Sequence, residues 1–197
     1  MEPPLALDID GTLTTPDDQI DPRAFEVLPS WEAPIVLATG KSFPYPIALC
    51  HFLGIPEQVV AENGGVVCAD GQVADTTNRW RETELAARVD ADEQLLRSVA
   101  DEFDLEVVDT GYAYHLKTPG VEKGTGLRAV ADIIGVETDS FVAVGDSEND
   151  VSLFEAAGAS YAVGNADAAA TAAAETVVSE EYFEGTLRVL ESLQSTA

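Results

Sequence analysis

Short apolar runs at Leu5–Leu7, Ile35–Ala38, Val59–Ala61 and 141–145 alternate along the chain with longer stretches of helical periodicity. Runs that do not alternate with polar residues predict strands buried on both faces, and strand–helix–strand repetition predicts a doubly wound sheet. The first helix is expected over 21–28, with Asp21 as N-cap and Pro22 in its first turn. A second spans Pro44–Leu53 and stops at Gly54, with Pro56 beyond. After Val59–Ala61 the stretch Glu62-Asn63-Gly64-Gly65, read as structural, leads into a strand at Val66–Ala69. Asp70-Gly71 is a hairpin turn to a return strand at 72–73.

The pattern then changes. Arg79-Trp80-Arg81 is expected as a strand, 90–103 as an amphipathic helix, and 105–108 and 112–117 as strands joined around Asp109-Thr110-Gly111. This β-α-β-β insert divides the chain into a core, 1–74 and 120–197, and a small second unit, 75–119. Tyr112, Tyr114 and Leu116 alternate as they would to pack on the insert helix, and His115 is expected as an exposed strand residue rather than a catalyst. The core resumes with a helix over 125–134 that stops at Gly135 and a strand at 141–145. Strands at 160–163 and 177–178, an alanine-rich helix and a helix near 183–193 finish it.

Charge changes this picture more than composition does. With 36 acidic against 10 basic residues the net charge is −26, which excludes nucleic acid and anionic membrane as partners. The 46% apolar content opposes disorder, so an acidic surface adapted to high salt is the better reading. Lysine is scarce, with Lys41, Lys117 and Lys123 alone present. Cys50 and Cys68 have no metal-site or disulfide spacing and read as small buried hydrophobes. A strand within a few residues of Met1 leaves no room for a signal peptide, and no apolar run approaches spanning length, so a cytoplasmic location is expected.

Candidate chemistry begins at the end of the first strand. Asp8 and Asp10 project there beside Gly11, and two such acids repel by about 4 kcal/mol at 4 Å and an effective dielectric of 20, so a hard cation such as Mg²⁺ should sit between them. A calcium loop is a poor fit, because Gly11 follows Asp10 directly and no helix precedes the stretch.

Asp8-Ile9-Asp10-Gly11-Thr12-Leu13-Thr14 resembles the first motif of the haloacid dehalogenase-like phosphatases. Thr39 after the second strand, Lys123 before Gly124, and Gly145-Asp146-Ser147-Glu148-Asn149-Asp150 fall in order where that superfamily has its other three motifs. Ser147, Asn149 and the place of the insert resemble the Cof-like branch. The stretches from Val121 onward and from Glu62 to Val67 are similar to its archaeal-type phosphoglycolate phosphatases. The resemblance implies a Rossmann-like α/β core, a doubly wound parallel sheet, with a small α+β cap inserted after the third core strand. It implies an Mg²⁺-dependent phosphate-monoester hydrolase with an aspartyl-phosphate intermediate. Asp8 would be the nucleophile and Asp10 the general acid and base, while Thr39, Gly40, Lys41 and Lys123 would bind substrate. Asp8, Asp10, Asp146 and Asp150 would hold the metal, Asp150 either directly or by holding Lys123 and a metal-bound water.

The expected substrate is a small phosphorylated metabolite, 2-phosphoglycolate first, since a small cap suits a small ester and blocks a protein-borne phosphate. Sugar phosphates, hydrolysed or transferred, are the alternative. A non-enzyme alternative is a receiver-type signalling domain, but its phospho-acceptor ends the third strand, and here that strand ends at Ala61-Glu62-Asn63. Oligomeric state is left open, a homodimer included. The second anionic group of phosphoglycolate needs a cation, for which Lys41 is preferred over Lys117, Arg79, Arg81 and His115.

The charge makes one prediction directly. Melting temperature should rise with KCl from dilute buffer to molar concentrations, where the Debye length falls to about 3 Å. A flat curve would remove the high-salt reading.

Overall fold

Strands that are apolar at odd and even positions alike need cover on both sides, and the fold supplies it. A computed structural model describes residues 1–74, 84–109 and 113–196. In chain order these form β1 (Leu5–Leu7), α1 (Ala24–Val27), β2 (Ile35–Ala38), α2 (Pro44–Leu53), β3 (Val59–Ala61), β4 (Val66–Ala69) and β5 (Gln72–Ala74). Next come β6 (Glu84–Arg88), α3 (Glu93–Glu102), β7 (Glu106–Asp109) and β8 (Ala113–Lys117). The chain ends with α4 (Lys123–Ile134), β9 (Val142–Gly145), α5 (Val151–Ala156), β10 (Ala159–Ala162), α6 (Ala168–Ala173), β11 (Thr176–Val177) and α7 (Tyr182–Thr196).

Among the described residues the strands make two sheets. The larger has the order β11-β10-β9-β1-β2-β3-β4-β5. It is parallel from β11 to β3, with β4 and β5 added antiparallel. The smaller is antiparallel, β6-β8-β7, and α3 packs against β7 and β8.

Alternate residues of each central strand enter different cores. Leu5, Leu7, Ile35, Leu37, Val142 and Val144 pack with Leu28, Leu49, Leu53, Phe183 and Leu190, on the face covered by α2 and α7. Ala6, Val36, Ala38 and Ala143 point the other way, and their small size lets α4 and α5 approach through Leu127, Val130 and Leu153. A fully buried leucine contributes about 2 kcal/mol, so this two-sided burial holds the strand ends where side chains must converge.

Several boundaries move. The first helix starts at Ala24, because the Asp21 carboxylate accepts from the Arg23 amide at 2.9 Å and from the Arg23 guanidinium, which fixes a turn ahead of the helix. Leu28–Ser30 continues as a 3₁₀ turn. Residue 123, not 125, begins α4. The helix expected over 90–103 starts at Glu93, since the Asp92 carboxylate caps the Gln94 and Leu95 amides at 3.0 and 3.2 Å. The strand expected at Arg79-Trp80-Arg81, the turn residues Thr110 and Gly111, and Tyr112 lie outside the described residues. The strand β6 was not expected: Glu84-Leu85-Ala86-Ala87-Arg88 consists of strong helix formers, and pairing along β8 overrides that propensity.

Cys50 and Cys68 are free and buried, and burial pushes the Cys50 thiol up to about 12, as befits a small core residue. Among the described residues no helix is long and apolar enough to cross a membrane.

Two glycines with positive φ test how tightly the core is closed. A Cβ on Gly64, at φ +100, would lie 2.1 Å from the Glu122 carbonyl oxygen, whereas one on Gly71, at φ +72, would meet nothing within 4 Å. Gly71→Ala should cost about 1 kcal/mol, or roughly 3 °C, for backbone strain alone. Gly64→Ala should lower the melting temperature several times as much, and equal shifts would contradict the close approach of α4 to β3.

Candidate active site

Strand order reverses at β1: the chain goes outward through β2 and β3, then returns to lay β9 on the other side. Ligand crevices in doubly wound sheets form at such a point, beyond the strand C-termini. The Asp8 amide donates to the Val144 carbonyl at 3.0 Å, so the acids that follow the two strands, Asp8 and Asp146, converge. Gly11 turns the chain away at φ +76, and a Cβ there would lie 2.0 Å from Asp146 Oδ2. Glycine is required at that position by both conformation and space.

Lys123 enters this cluster from the first position of α4 and is fully buried. Its Nζ donates to Asp8 Oδ1 at 2.6 Å, to Asp150 Oδ1 at 2.6 Å and to Asn149 Oδ1 at 3.2 Å. Asp150 Oδ2 accepts from the Asp146 and Ser147 amides at 3.0 and 3.1 Å. Asp150 thus holds Lys123 with one oxygen and the turn that carries Asp146 with the other. Asn165 fastens the opposite side, donating to the Gly11 carbonyl at 3.1 Å and reaching Asp146 Oδ2 at 3.4 Å.

Asp8, Asp146 and Asp150 are all buried and each offers an oxygen within 4.8 Å of the others. Three carboxylates around one ammonium leave negative charge in excess, and the pKa values record it. Burial pushes the Asp8 carboxyl up to about 7, against the pull of Lys123. Burial, with the charges of Asp8 and Asp150, pushes Asp146 up to about 9. Burial disfavours the Lys123 ammonium, but Asp150 and Asp8 outweigh it and tighten its hold on the proton. Without another positive charge the cluster must take up protons, and an oxygen-only donor set with excess charge fits a hard divalent cation. Asp8, Asp146 and Asp150 are the acids with an oxygen close enough to share one.

Asp10, expected in the metal set, stands outside the cluster of buried acids. Its carboxylate is a third exposed, is not among the three clustered acids, and pairs with Lys41 Nζ at 3.0 Å. The aliphatic turn between the two acids separates them: Ile9 is fully buried and fixes Asp8 inward and Asp10 toward the crevice. Lys41 also lies over the Tyr45 ring at 5.1 Å, so the preferred reader of a second substrate anion is already engaged on both sides. Thr39 is buried, and its Oγ1 accepts from the Lys41 amide at 3.0 Å, which leaves the hydroxyl proton to offer elsewhere. Gly40 passes the Asn63 side chain so closely that a Cβ would sit 3.1 Å from Asn63 Oδ1.

Asn63 was read as structural, and it is more than that. Its backbone is left-handed at φ 53, and its side chain joins the larger sheet to the smaller. Oδ1 accepts from Asn149 Nδ2 at 3.0 Å, while Nδ2 donates to Glu84 Oε2 at 2.9 Å. Glu84 Oε1 in turn lies 2.9 Å from His115 Nδ1. His115, expected to be exposed, is 6% exposed, because its face of the small sheet turns toward the core. Tyr114, on the other face, belongs to the strand that packs against α3. The one signal for Asn63 in the sequence was its place at the end of β3, where the neighbouring strands already end in chemistry. Beside this link a cleft of about 650 Å³ opens between the two sheets, with Lys123 and Asn149 on its core side and Lys117 on the other.

Known proteins with this arrangement are similar over nearly the whole chain. The family described as haloacid dehalogenase-like hydrolase matches residues 5–89 and 82–190. A phosphoglycolate phosphatase of Halorubrum lacusprofundi is 56% identical, over 99% of both chains. Those of Halobacterium salinarum and Methanosarcina acetivorans are 48% and 35% identical, over 98% and 97% of this chain and 98% and 96% of their own. The crystal structure of Thermoplasma acidophilum 0175 superposes with a TM-score of 0.86 at 26% identity, over 98% of this chain and 99% of that one. A Thermotoga maritima structure shares the fold at a TM-score of 0.77 and 18% identity, over 98% of this chain and 97% of its own.

The raised acids make stability depend on pH and on metal. Asp8 and Asp146 hold protons more tightly folded than at their ordinary 3.8, so their stabilising contribution is full below that value. It is lost as the pH rises through about 7 and then about 9. The melting temperature of chelator-treated protein should fall between pH 6 and 9, and a divalent cation should restore more of it at pH 9 than at pH 6. Calorimetric titration in buffers of different ionisation enthalpy should show proton release on binding. A metal response independent of pH would contradict the charge excess.

Proposed function

The chain belongs to the haloacid dehalogenase-like hydrolases, and from that premise we propose that it hydrolyses 2-phosphoglycolate to glycolate and phosphate in the cytoplasm. The observation that carries the reading is the buried Lys123 ammonium, 2.6 Å from Asp8, inside a ring of three acids at the sheet's switch point. Identity of 56% over the full length to a phosphoglycolate phosphatase supports the substrate. In this reading residues 1–74 and 120–197 are the catalytic core and 75–119 are the cap.

Asp8 is the nucleophile. Lys123 holds Oδ1 and so presents the other carboxylate oxygen to the crevice. That oxygen attacks phosphorus, the bond from phosphorus to the glycolate oxygen breaks, and Asp10 donates the proton that the leaving oxygen needs. A water then attacks the aspartyl-phosphate, Asp10 takes its proton, and Asp8 is returned as a carboxylate with release of phosphate. Lys41, 3.0 Å from Asp10, orients that carboxyl between the two proton transfers. The Thr39 hydroxyl, the amides about Gly40 and the Lys123 ammonium bind the phosphoryl oxygens. Asp8 and Asp146 would hold Mg²⁺, with Asp150 fixing the turn behind them, and the ion supplies neutralisation of phosphoryl charge.

Asp8→Asn should lower turnover by several orders of magnitude while the melting temperature holds or rises, since a neutral amide replaces one member of a crowded acidic cluster. Near-wild-type hydrolysis by that variant would reject the covalent route. Inorganic phosphate release from 2-phosphoglycolate and from hexose phosphates, in molar salt, tests the substrate: faster turnover of the sugars would reject it.

A further inference from the structure

Two buried residues in succession, Glu62 and Asn63, hold left-handed backbones at φ 51 and 53 without being glycine. Such a bend persists only where its surroundings over-determine it. Here it closes on the turn that follows β2. The Glu62 amide donates to the Lys41 carbonyl at 3.0 Å and the Asn63 amide to the Thr39 carbonyl at 3.1 Å, while Gly40 between them packs on the Asn63 side chain. That side chain is also the middle of a relay. Lys123 Nζ donates to Asn149 Oδ1 at 3.2 Å, Asn149 Nδ2 to Asn63 Oδ1 at 3.0 Å, and Asn63 Nδ2 to Glu84 Oε2 at 2.9 Å. An ammonium only donates and a carboxylate only accepts, so the two ends fix the sense of both amides, and turning either one over breaks two bonds. Asn63 is 1% and Glu84 2% exposed, so water does not replace a lost link. Lys123, Asn149 and Asn63 all line the cleft between the two sheets.

Resting on the reading that Thr39, Gly40 and Lys123 bind the phosphoryl oxygens, we propose that Asn63 is a positioning residue for the phosphoryl group and makes the alignment of that site depend on the cap. It acts through other residues. Its backbone fixes the turn at 39–41, Asn149 carries its position to Lys123, and Glu84 ties it to β6. The cap therefore takes part in binding phosphate itself, in addition to enclosing the alcohol.

The probe is inorganic phosphate, measured as a competitive inhibitor of p-nitrophenyl phosphate hydrolysis in molar KCl with MgCl2, alongside kcat and melting temperature. Asn63→Asp keeps the size, the tolerance of a left-handed backbone and the acceptor for Asn149, but sets a carboxylate against Glu84. It should raise the phosphate inhibition constant about tenfold and lower kcat by a similar factor. Adding Glu84→Gln exchanges amide and carboxylate between the two positions, rebuilds the relay, and should return the inhibition constant to within about threefold of wild type. Asn63→Gly retains the bend and deletes the side chain; it should show the same loss, and Glu84→Gln should not rescue it. Variants that melt lower yet bind phosphate and turn over as wild type does would make Asn63 a structural latch and overturn the role. A double variant no better than Asn63→Asp would overturn it too. Wild-type protein that phosphate does not inhibit would overturn the phosphoryl-site reading itself.

Discussion

One buried ammonium sets the terms for the rest of the site. Desolvating a lysine costs several kcal/mol, and Lys123 is fully buried, so it requires carboxylates at contact distance. Asp8 and Asp150 provide them at 2.6 Å each. The third acid, Asp146, has no such partner, and burial together with the charges of Asp8 and Asp150 pushes its carboxyl up to about 9. The residue set leaves the site under-neutralised, and a divalent cation would complete the balance that Lys123 begins. The raised Asp8 and Asp146 carboxyls and the fit to a hard divalent cation are consequences of one electrostatic deficit.

That deficit also explains local backbone features that sit some way from any reacting atom. Carboxylates packed this tightly leave no room for neighbouring side chains. A Cβ on Gly145 would lie 2.5 Å from Asp150, as one on Gly11 would lie 2.0 Å from Asp146. The reciprocal capping of Ser147 and Asp150 then aims Asp150 back at Lys123. Two helix starts, a strand end and two glycines are all consequences of holding like charges together. The large residues of β1, β2 and β9 on one face and the small ones on the other keep those strand ends in register while they do so.

How much of this is legible in the sequence follows from where each signal lies. The strand ends carrying Asp8, Thr39 and Asp146 were readable because burial on both faces leaves a continuous apolar run, and polar residues then mark the crevice end. Lys123 stood out because lysine is rare in this chain and because it stands at a helix start where the resembled superfamily has a motif. The pairing of Lys41 with Asp10 was not readable, since it depends on the rotation of two loops relative to each other. Glu84 was missed for a different reason: β6 is written in helix-forming residues, so its existence has no local signal, and without it the inward face of β8 that buries His115 could not be assigned. Asn63 shows the same limit, since its place in a structural stretch was visible and its bridging partners 21 and 86 residues away were not.

The distribution of positive charge bears on how a substrate anion finds this site at all. All three lysines of the chain lie along the crevice or its cap, and each has a carboxylate within 3.0 Å: Asp10 for Lys41, Glu106 for Lys117, Asp8 and Asp150 for Lys123. None projects a free field outward, and the net charge of −26 opposes any approaching anion. Long-range steering therefore works against binding in dilute buffer. At molar salt it is screened within about 3 Å, and the repulsion disappears while contact pairs persist. Recognition in such a protein rests on groups that touch the ligand, so the polarity of the few side chains at the core–cap junction decides selectivity more than the potential of the surface does.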